Sequence, residues 1–330
     1  MRAAFITRTG PPDVIEVGTL PDPVPGPGQV VVRVRACAVN PIDTYIRSGA
    51  VAFSLPMPFV VGCDLAGEVV EVGPGVDGLR PGMRVWGSNQ GLLGRQGTFA
   101  EYAAVDERWL APTPSSVSDR EAAAAALVSI TAHLGLVSHA ALRPGETLFV
   151  NGASGGVGSA VVQTALALGA RVIGTAGNES KRAALIALGA EAALDYRSDD
   201  LVSAARAAAP HGIDVYWETQ RDPDLDRAVA MVAEGGRIVL MAGRDARPEF
   251  PVGPFYVKGL SLVGFAMFKA DWRRQAAAAI DINRWLASGR LRIPIARVMT
   301  LEETAAAHAL QEAATVARTA SLSGKIVVEP

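Results

Sequence analysis

The chain has 330 residues, room for two domains, and its 49% hydrophobic and 19% charged content excludes a disordered polymer. Its 31 basic and 33 acidic residues leave a net charge of −2 with no basic block or acidic tail, so neither nucleic acid nor an anionic membrane is an expected partner. Two cysteines, Cys37 and Cys63, exclude a disulfide scaffold, and the opening MRAAFITRTGPP has no signal-peptide core; the expectation is a soluble protein of a reducing cytoplasm.

The N-terminal third reads as β. Residues 29–40 (QVVVRVRACAVN) alternate apolar and charged side chains after a loop punctuated by Pro23, Pro25, Gly26, Pro27 and Gly28. Residues 60–73 (VVGCDLAGEVVEVG) form a second β run whose two internal glycines fit a bent strand. Residues 80–86 lead into a short strand, and residues 97–105 (GTFAEYAAV) give another. Short strands between Gly and Pro imply a small closed or rolled β domain. Residues 118–138 then predict a long alanine-rich helix with Glu121 in its first turn. Ser129, Thr131 and His133 leave its apolar part, 122–137, short of a membrane span.

Beyond it, strands and helices alternate. Strands are expected at 147–151, 171–176, 192–195, 213–218 and 236–242, and helices at 155–168, 179–188, 201–209 and 224–233. Short apolar strands separated by amphipathic helices predict parallel βαβ units with both sheet faces covered. The tail adds a strand near 260–265, a helix over 271–288, another opening at Thr300 with Glu303 three residues on, and a last strand over 324–328.

The sharpest local signal is VNGASGGVG at 150–158, on a strand-to-helix junction. Gly152, Gly155 and Gly158 recur every third residue; alternatively Ala153, Gly155 and Gly158 give the dinucleotide fingerprint with alanine in first place. Such a turn lets backbone N–H groups approach a pyrophosphate at a helix N-terminus. An NAD site carries an acid about 20 residues further on, bonding the ribose 2′-hydroxyl. Here the second strand ends in Gly174–Asn178 without one, Glu179 lies inside the next helix, and Lys181 and Arg182 follow. Neutral small residues beside cations point to a 2′-phosphate and hence to NADPH; the alternative is that Lys181 and Arg182 are solvated helix residues. A metal site is not expected. His133, His139, His211 and His308 are scattered, and two thiols without a third ligand are read as small apolar side chains.

Four runs, NPIDTYIRSG at 40–49, GCDLAGEVVEVG at 62–73, PGMRV at 81–85 and NGASGGVG at 151–158, resemble in order and spacing the zinc-independent quinone oxidoreductases, the zeta-crystallin-like branch of the medium-chain dehydrogenase/reductases. In zinc-dependent relatives a ligand cysteine stands in the place of Asn40, and a Gly-His-Glu ligand motif falls on Gly62, Cys63 and Asp64. The resemblance implies an α/β fold: a GroES-like β-rich catalytic domain over 1–120 and 268–330, and a Rossmann doubly wound parallel-sheet domain over 121–267. It implies that Asn40, Tyr45 and Thr131 border the nicotinamide and its ribose. Ser154, Gly155, Gly156 and Val157 resemble the pyrophosphate turn, and Gly177, Lys181 and Tyr196 the 2′-phosphate pocket. Met241, Ala242, Gly243 and Arg244, with Phe265, Ala266 and Met267, match stretches whose backbone borders the nicotinamide half. Alternatively Asn40 caps a strand end, and Tyr45 and Tyr196 are packed aromatics.

The expected reaction is NADPH-dependent, metal-free reduction of a quinone. Its rivals are reduction of an enone or enoyl thioester, and a non-catalytic NADPH-binding protein. The resemblance also implies a homodimer or homotetramer through the strand at 258–264. The chain departs from the family in an apolar segment at 50–53, a polar one at 219–224 and a longer tail at 314–323.

Overall fold

In this computed structural model, which describes residues 1–317, 319 and 322–330, the first 112 residues fold as expected into short strands. These are β1 (Arg2–Ile6), β2 (Glu16–Thr19), β3 (Gln29–Ala38), β4 (Phe59–Val60), β5 (Leu65–Val72), β6 (Arg84–Gly87), β7 (Tyr102–Asp106) and β8 (Leu110–Pro112). Helix α1 (Pro41–Ser48) follows β3. Strand β3 is the hub: it pairs antiparallel with β5 along its length and with β7 over its first half. The strand expected over 97–105 is shorter, beginning only at Tyr102. Upstream, the Gly97 and Thr98 amides bond to Val60 O and Val61 O at 2.9 and 3.1 Å, and a Cβ on Gly97 would lie 2.3 Å from Val60 O. The glycine trades strand pairing for this close backbone approach.

Helix α2 (Asp119–His133) continues as a π-turn, Leu134–His139, where Gly135 passes so close to Trp217 that a Cβ would lie 2.1 Å from its ring. The 21-residue run Asp119–His139 reaches membrane-spanning length and contains an 18-residue stretch of mean hydropathy 1.4, so the sequence reading underestimated it, yet 78% of that stretch is buried inside the protein. It is a core helix.

Strands β9 (Thr147–Asn151), β10 (Arg171–Thr175), β11 (Ala192–Leu194), β12 (Ile213–Glu218), β13 (Val232–Leu240) and β14 (Ser261–Gly264) form one sheet in the order β11-β10-β9-β12-β13-β14. All its pairings are parallel. Between them run α3 (Gly156–Ala167), α4 (Glu179–Ala187), α5 (Leu201–Ala208), α6 (Leu225–Met231) and α7 (Val252–Val257). This is the doubly wound order, whose direction reverses between β9 and β12. Phe149, Ile173, Tyr216 and Ile238 bury one sheet face against α5 and α6. The sequence missed α7, a short helix that starts just after Pro251 and contains Pro254.

The chain ends in α8 (Trp272–Ala287), β15 (Ile295–Thr300), α9 (Thr304–Thr315) and β16 (Lys325–Glu329). Thr300 and Glu303 form the expected capping box. Strand β15 was not foreseen; it pairs parallel to β16, which pairs antiparallel with the end of β3 through Val327–Ala38 and Val328–Cys37. Part of the longer tail, residues 318, 320 and 321, lies outside the described residues. The chain divides into two compact units, Met1–Leu127 with Asp271–Pro330, and Val128–Ala270.

One buried group gives the first unit a pH signature. His308 on α9 is fully buried, neither ring nitrogen has a hydrogen-bond partner, and burial, with the nearby Arg47 charge, depresses its pKa to about 3. A depressed pKa stabilises the fold fully above the unfolded value near 6.5, and that contribution is lost as pH falls toward 3. In urea unfolding, the parent is expected to lose about 2 kcal/mol more than His308→Leu between pH 8 and pH 5. Equal losses would show that the ring finds a proton-accepting route in the folded state.

Candidate functional site

In the second unit, β9, β10, β12, β13 and β14 end at Asn151, Thr175, Glu218, Leu240 and Gly264. Because the sheet is parallel, the segments that follow all emerge at one edge. They hold the residues for which the resemblance implied a pyrophosphate, 2′-phosphate or nicotinamide-half contact, Thr131 on α2 excepted: Ser154, Gly155, Gly156 and Val157; Gly177 and Lys181; Met241, Ala242, Gly243 and Arg244; Phe265, Ala266 and Met267. Tyr196 follows β11 at the same edge. That edge, at the strand-order reversal, is where doubly wound sheets take ligands.

The turn after β9 is shaped by its glycines. Gly152 has φ +81°, which L side chains rarely adopt, and a Cβ on Gly158 would lie 2.2 Å from Gly152 O. The Ala153 amide is spent on Thr175 O at 2.9 Å and that of Gly155 on Gly152 O at 3.2 Å. Helix α3 starts at Gly156, so the amides of Gly156, Val157 and Gly158 belong to its first turn and have no intrahelical acceptor. These donors, with the positive end of a 12-residue helix, suit a pyrophosphate.

At the far end of the sheet edge, Asn178 caps α4 by accepting from the Lys181 amide at 2.9 Å. A Cβ on Gly177 would lie 2.9 Å from the Tyr196 hydroxyl, so Gly177 lets this ring lie over the strand end. Asp195 holds two arginines here: Arg182 Nη1 donates to it at 3.1 Å and Arg197 Nε at 3.2 Å, while Arg197 also donates to Gly177 O and lies 5.5 Å from the Tyr196 ring centroid. The backbone N–H of Arg197, donating to Asp195 at 3.0 Å, and then the Arg197 and Arg182 side chains hold the Asp195 carboxyl below its usual range. Sequence reading missed Arg197. With Lys181 and Arg182 it puts three cationic residues around the ends of β10 and β11, beside Asp195 and Glu179.

In the first unit, Asn40 leaves β3 in extended conformation and caps α1, with Pro41 at the first helical position and its own N–H donating to Asp43 at 2.7 Å. Its carboxamide is fully engaged. Nδ2 donates to Asp64 Oδ2 at 2.8 Å and to Ala38 O at 3.1 Å, and Oδ1 accepts from Lys325 Nζ, which also donates to Val39 O at 2.7 Å. All four side chains, of Asn40, Asp43, Asp64 and Lys325, are buried, as are Cys37 and Cys63. Burial pushes Asp43 up to about 7, with Asp64 adding to the rise and the Cys63 thiol, the Asn40 amide and Lys325 pulling back. Burial likewise raises Asp64 and lowers Lys325, each opposed by the other's charge. Sequence reading assigned no role to Asp43, three residues after its cap Asn40, or to Asp64, and missed Lys325, which no local pattern marks. Tyr45 on α1 is half-buried, and Thr131, in the second unit, is buried on α2.

The donors around Asn40, Cys63 and Asp64 do not suit zinc. An ammonium already stands among them, and the Asn40 oxygen points at that cation. Among the described residues no group of three or more His, Cys, Asp or Glu side chains is placed to hold a metal.

Residues 26–115 match the family described as Alcohol dehydrogenase GroES-like domain, and residues 156–281 the family described as Zinc-binding dehydrogenase. The chain is 31% identical over 310 residues to the quinone oxidoreductase of Sus scrofa, covering 93% of each. A solved structure described as an NAD-dependent alcohol dehydrogenase aligns with TM-score 0.89 and 33% identity over 100% of both chains. A mycobacterial structure complexed with NADPH aligns with TM-score 0.84 and 27% identity over 100% of both chains.

Proposed function

The chain belongs to the quinone oxidoreductase branch of the medium-chain dehydrogenase/reductases, and from that premise we propose that it transfers a hydride from NADPH to a quinone or a similarly electron-poor acceptor. The observation that carries this reading is the sheet edge itself. One end offers a glycine turn with free helix-start amides; the other offers Lys181, Arg182 and Arg197 without an acid placed for a ribose 2′-hydroxyl.

When bound, the dihydronicotinamide would supply the hydride, and a solvent proton completes reduction of quinone to hydroquinone. The chain's own work is to bind and align. Ser154, Gly156 and Val157 would hold the pyrophosphate. Gly177, Lys181, Arg197 and Tyr196 would hold the 2′-phosphate. Met241–Arg244 and Phe265–Met267 would border the nicotinamide half. The Phe265 ring is committed to packing, stacked on His139 at 4.6 Å and edge-on to Trp217 at 6.0 Å, so its backbone is the part available. In the first unit, Asn40 and Tyr45 are the residues proposed for a nicotinamide contact, Asn40 as a held group rather than a free donor. Turnover of NADPH with phenanthrenequinone, compared with an alkyl enone, tests the reading. Quinone turnover is expected to dominate; enone turnover alone would replace the acceptor class, and turnover of neither would leave only binding.

We also propose a homodimer through β14. This is an edge strand with Leu262 43% exposed, and beside it in sequence α7 exposes Val252, Tyr256 and Val257 by 61%, 69% and 73%. An apolar edge with unpaired backbone groups seeks a partner strand. Leu262→Lys is expected to convert the dimer to monomer in light scattering. A monomeric parent would remove the proposal.

A further inference from the structure

We infer that Glu218, buried at the end of β12, sets the dinucleotide turn through a relay of two side chains, Asn151 and Thr175. The inference rests on the proposal that this turn holds the pyrophosphate. Glu218 is 1% exposed, and its carboxylate collects neutral donors: Asn151 Nδ2 at 3.0 and 3.1 Å, the Gln220 amide at 2.7 Å and the Tyr216 hydroxyl at 3.2 Å. A carboxylate only accepts, so it fixes which way the Asn151 amide faces. Asn151 Oδ1 is thereby turned to the Thr175 hydroxyl, which donates to it at 2.8 Å. With its proton committed, Thr175 Oγ1 accepts from the Gly152 amide at 2.9 Å. Each link determines the direction of the next, and the last one grips the residue on which the turn pivots.

A second set of contacts closes the same loop. Thr219 Oγ1 donates to Asn151 O at 2.6 Å, and a Cβ on Gly152 would lie 2.2 Å from that hydroxyl. The relay therefore ties the ends of β9, β10 and β12, three neighbouring strands, at the one point where their separation sets the spacing of the turn's amides. Asn151 and Glu218 are also register partners across β9 and β12. Without the carboxylate, Asn151 is free to flip and present its amine to Thr175, and the Gly152 amide loses its defined acceptor geometry. Glu218 and Thr175 act here as positioning residues.

The test compares the full-length parent with Glu218→Gln, Thr175→Val and Thr175→Ser. NADPH and adenosine 2′-monophosphate are titrated by calorimetry, and exchange of the Gly152 amide is followed without ligand. Adenosine 2′-monophosphate carries the 2′-phosphate but no pyrophosphate, so it reports on the other end of the edge. Thr175→Val and Glu218→Gln are expected to weaken NADPH about tenfold, leave the monophosphate unchanged and accelerate Gly152 exchange, while Thr175→Ser keeps the hydroxyl and binds as the parent does. Unchanged NADPH affinity in Thr175→Val and Glu218→Gln, or equal weakening of both ligands, overturns the inference. A parent that binds no NADPH overturns instead the proposed function beneath it.

Discussion

Replacing Lys181 by alanine is expected to weaken NADPH binding about tenfold to hundredfold while NADH binding stays within about twofold of the parent. A hydrogen bond from a cation to a phosphate is worth about 1.5–3 kcal/mol, and only NADPH carries the phosphate at this position. Several side chains are already gathered at this end of the edge: Asn178 fixes the start of α4, Gly177 makes room for Tyr196, and Asp195 holds Arg182 and Arg197. Asp195→Ala releases both arginines from their anchor, so it too is expected to lower NADPH affinity, by a smaller factor, although it removes a negative charge. If simple charge counting governed the pocket, Asp195→Ala would tighten NADPH. Fluorescence titration of both cofactors against both variants separates geometry from net charge. Equal affinity for NADPH and NADH in the parent, untouched by Lys181→Ala, would end the case for a phosphate pocket and favour NADH.

Much of this edge could be read from the sequence because its signals are local. A strand, a glycine turn and a helix occupy about twenty consecutive residues, and the turn's chemistry follows from residue types at fixed spacing. The β–α alternation of the second unit repeats that signal, and the bounds expected for β9 and β12 match those observed. What stayed hidden is of two kinds. Helix α7 and strand β15 lack periodicity: the first is framed by Pro251 and Pro254, the second is short and half-exposed. The other kind is distance along the chain. Lys325 meets Asn40 across 285 residues, and Glu218 meets Asn151 across 67. Lys325 sits at the head of KIVVE, where a lysine reads as a strand's solvated flank; only the pairing of β16 with the end of β3 carries it inside. The apolar–charged alternation in β3 predicted a strand, but nothing in it says that the last strand of the chain joins its end.

Removing the Lys325 ammonium is expected to have the largest effect on stability. Lys325→Met would leave Asp43 and Asp64 buried without their shared cation and the Asn40 oxygen without its donor. Leaving buried charges without their compensating cation costs about 3–5 kcal/mol, which lowers the melting temperature by on the order of 10 °C. The pH dependence supplies a sharper signature. Burial already raises the Asp43 pKa, to about 7, and that of Asp64; without the ammonium both rise further. A carboxyl whose folded pKa exceeds its unfolded value near 3.9 contributes stability that is fully present below the unfolded value and lost as pH rises through the folded one. The deficit of Lys325→Met relative to the parent is therefore expected to shrink as pH falls from 8 to 5. His308 works in the opposite direction in both proteins, so only the difference between them carries the signal. Asp64→Asn, added to Lys325→Met, removes one of the stranded charges while keeping the Asn40 contact, and should recover part of the lost stability. A constant deficit across that pH range, with no recovery in the double variant, would mean that Lys325 contributes packing along β16 and not the charge that holds Asn40 in place.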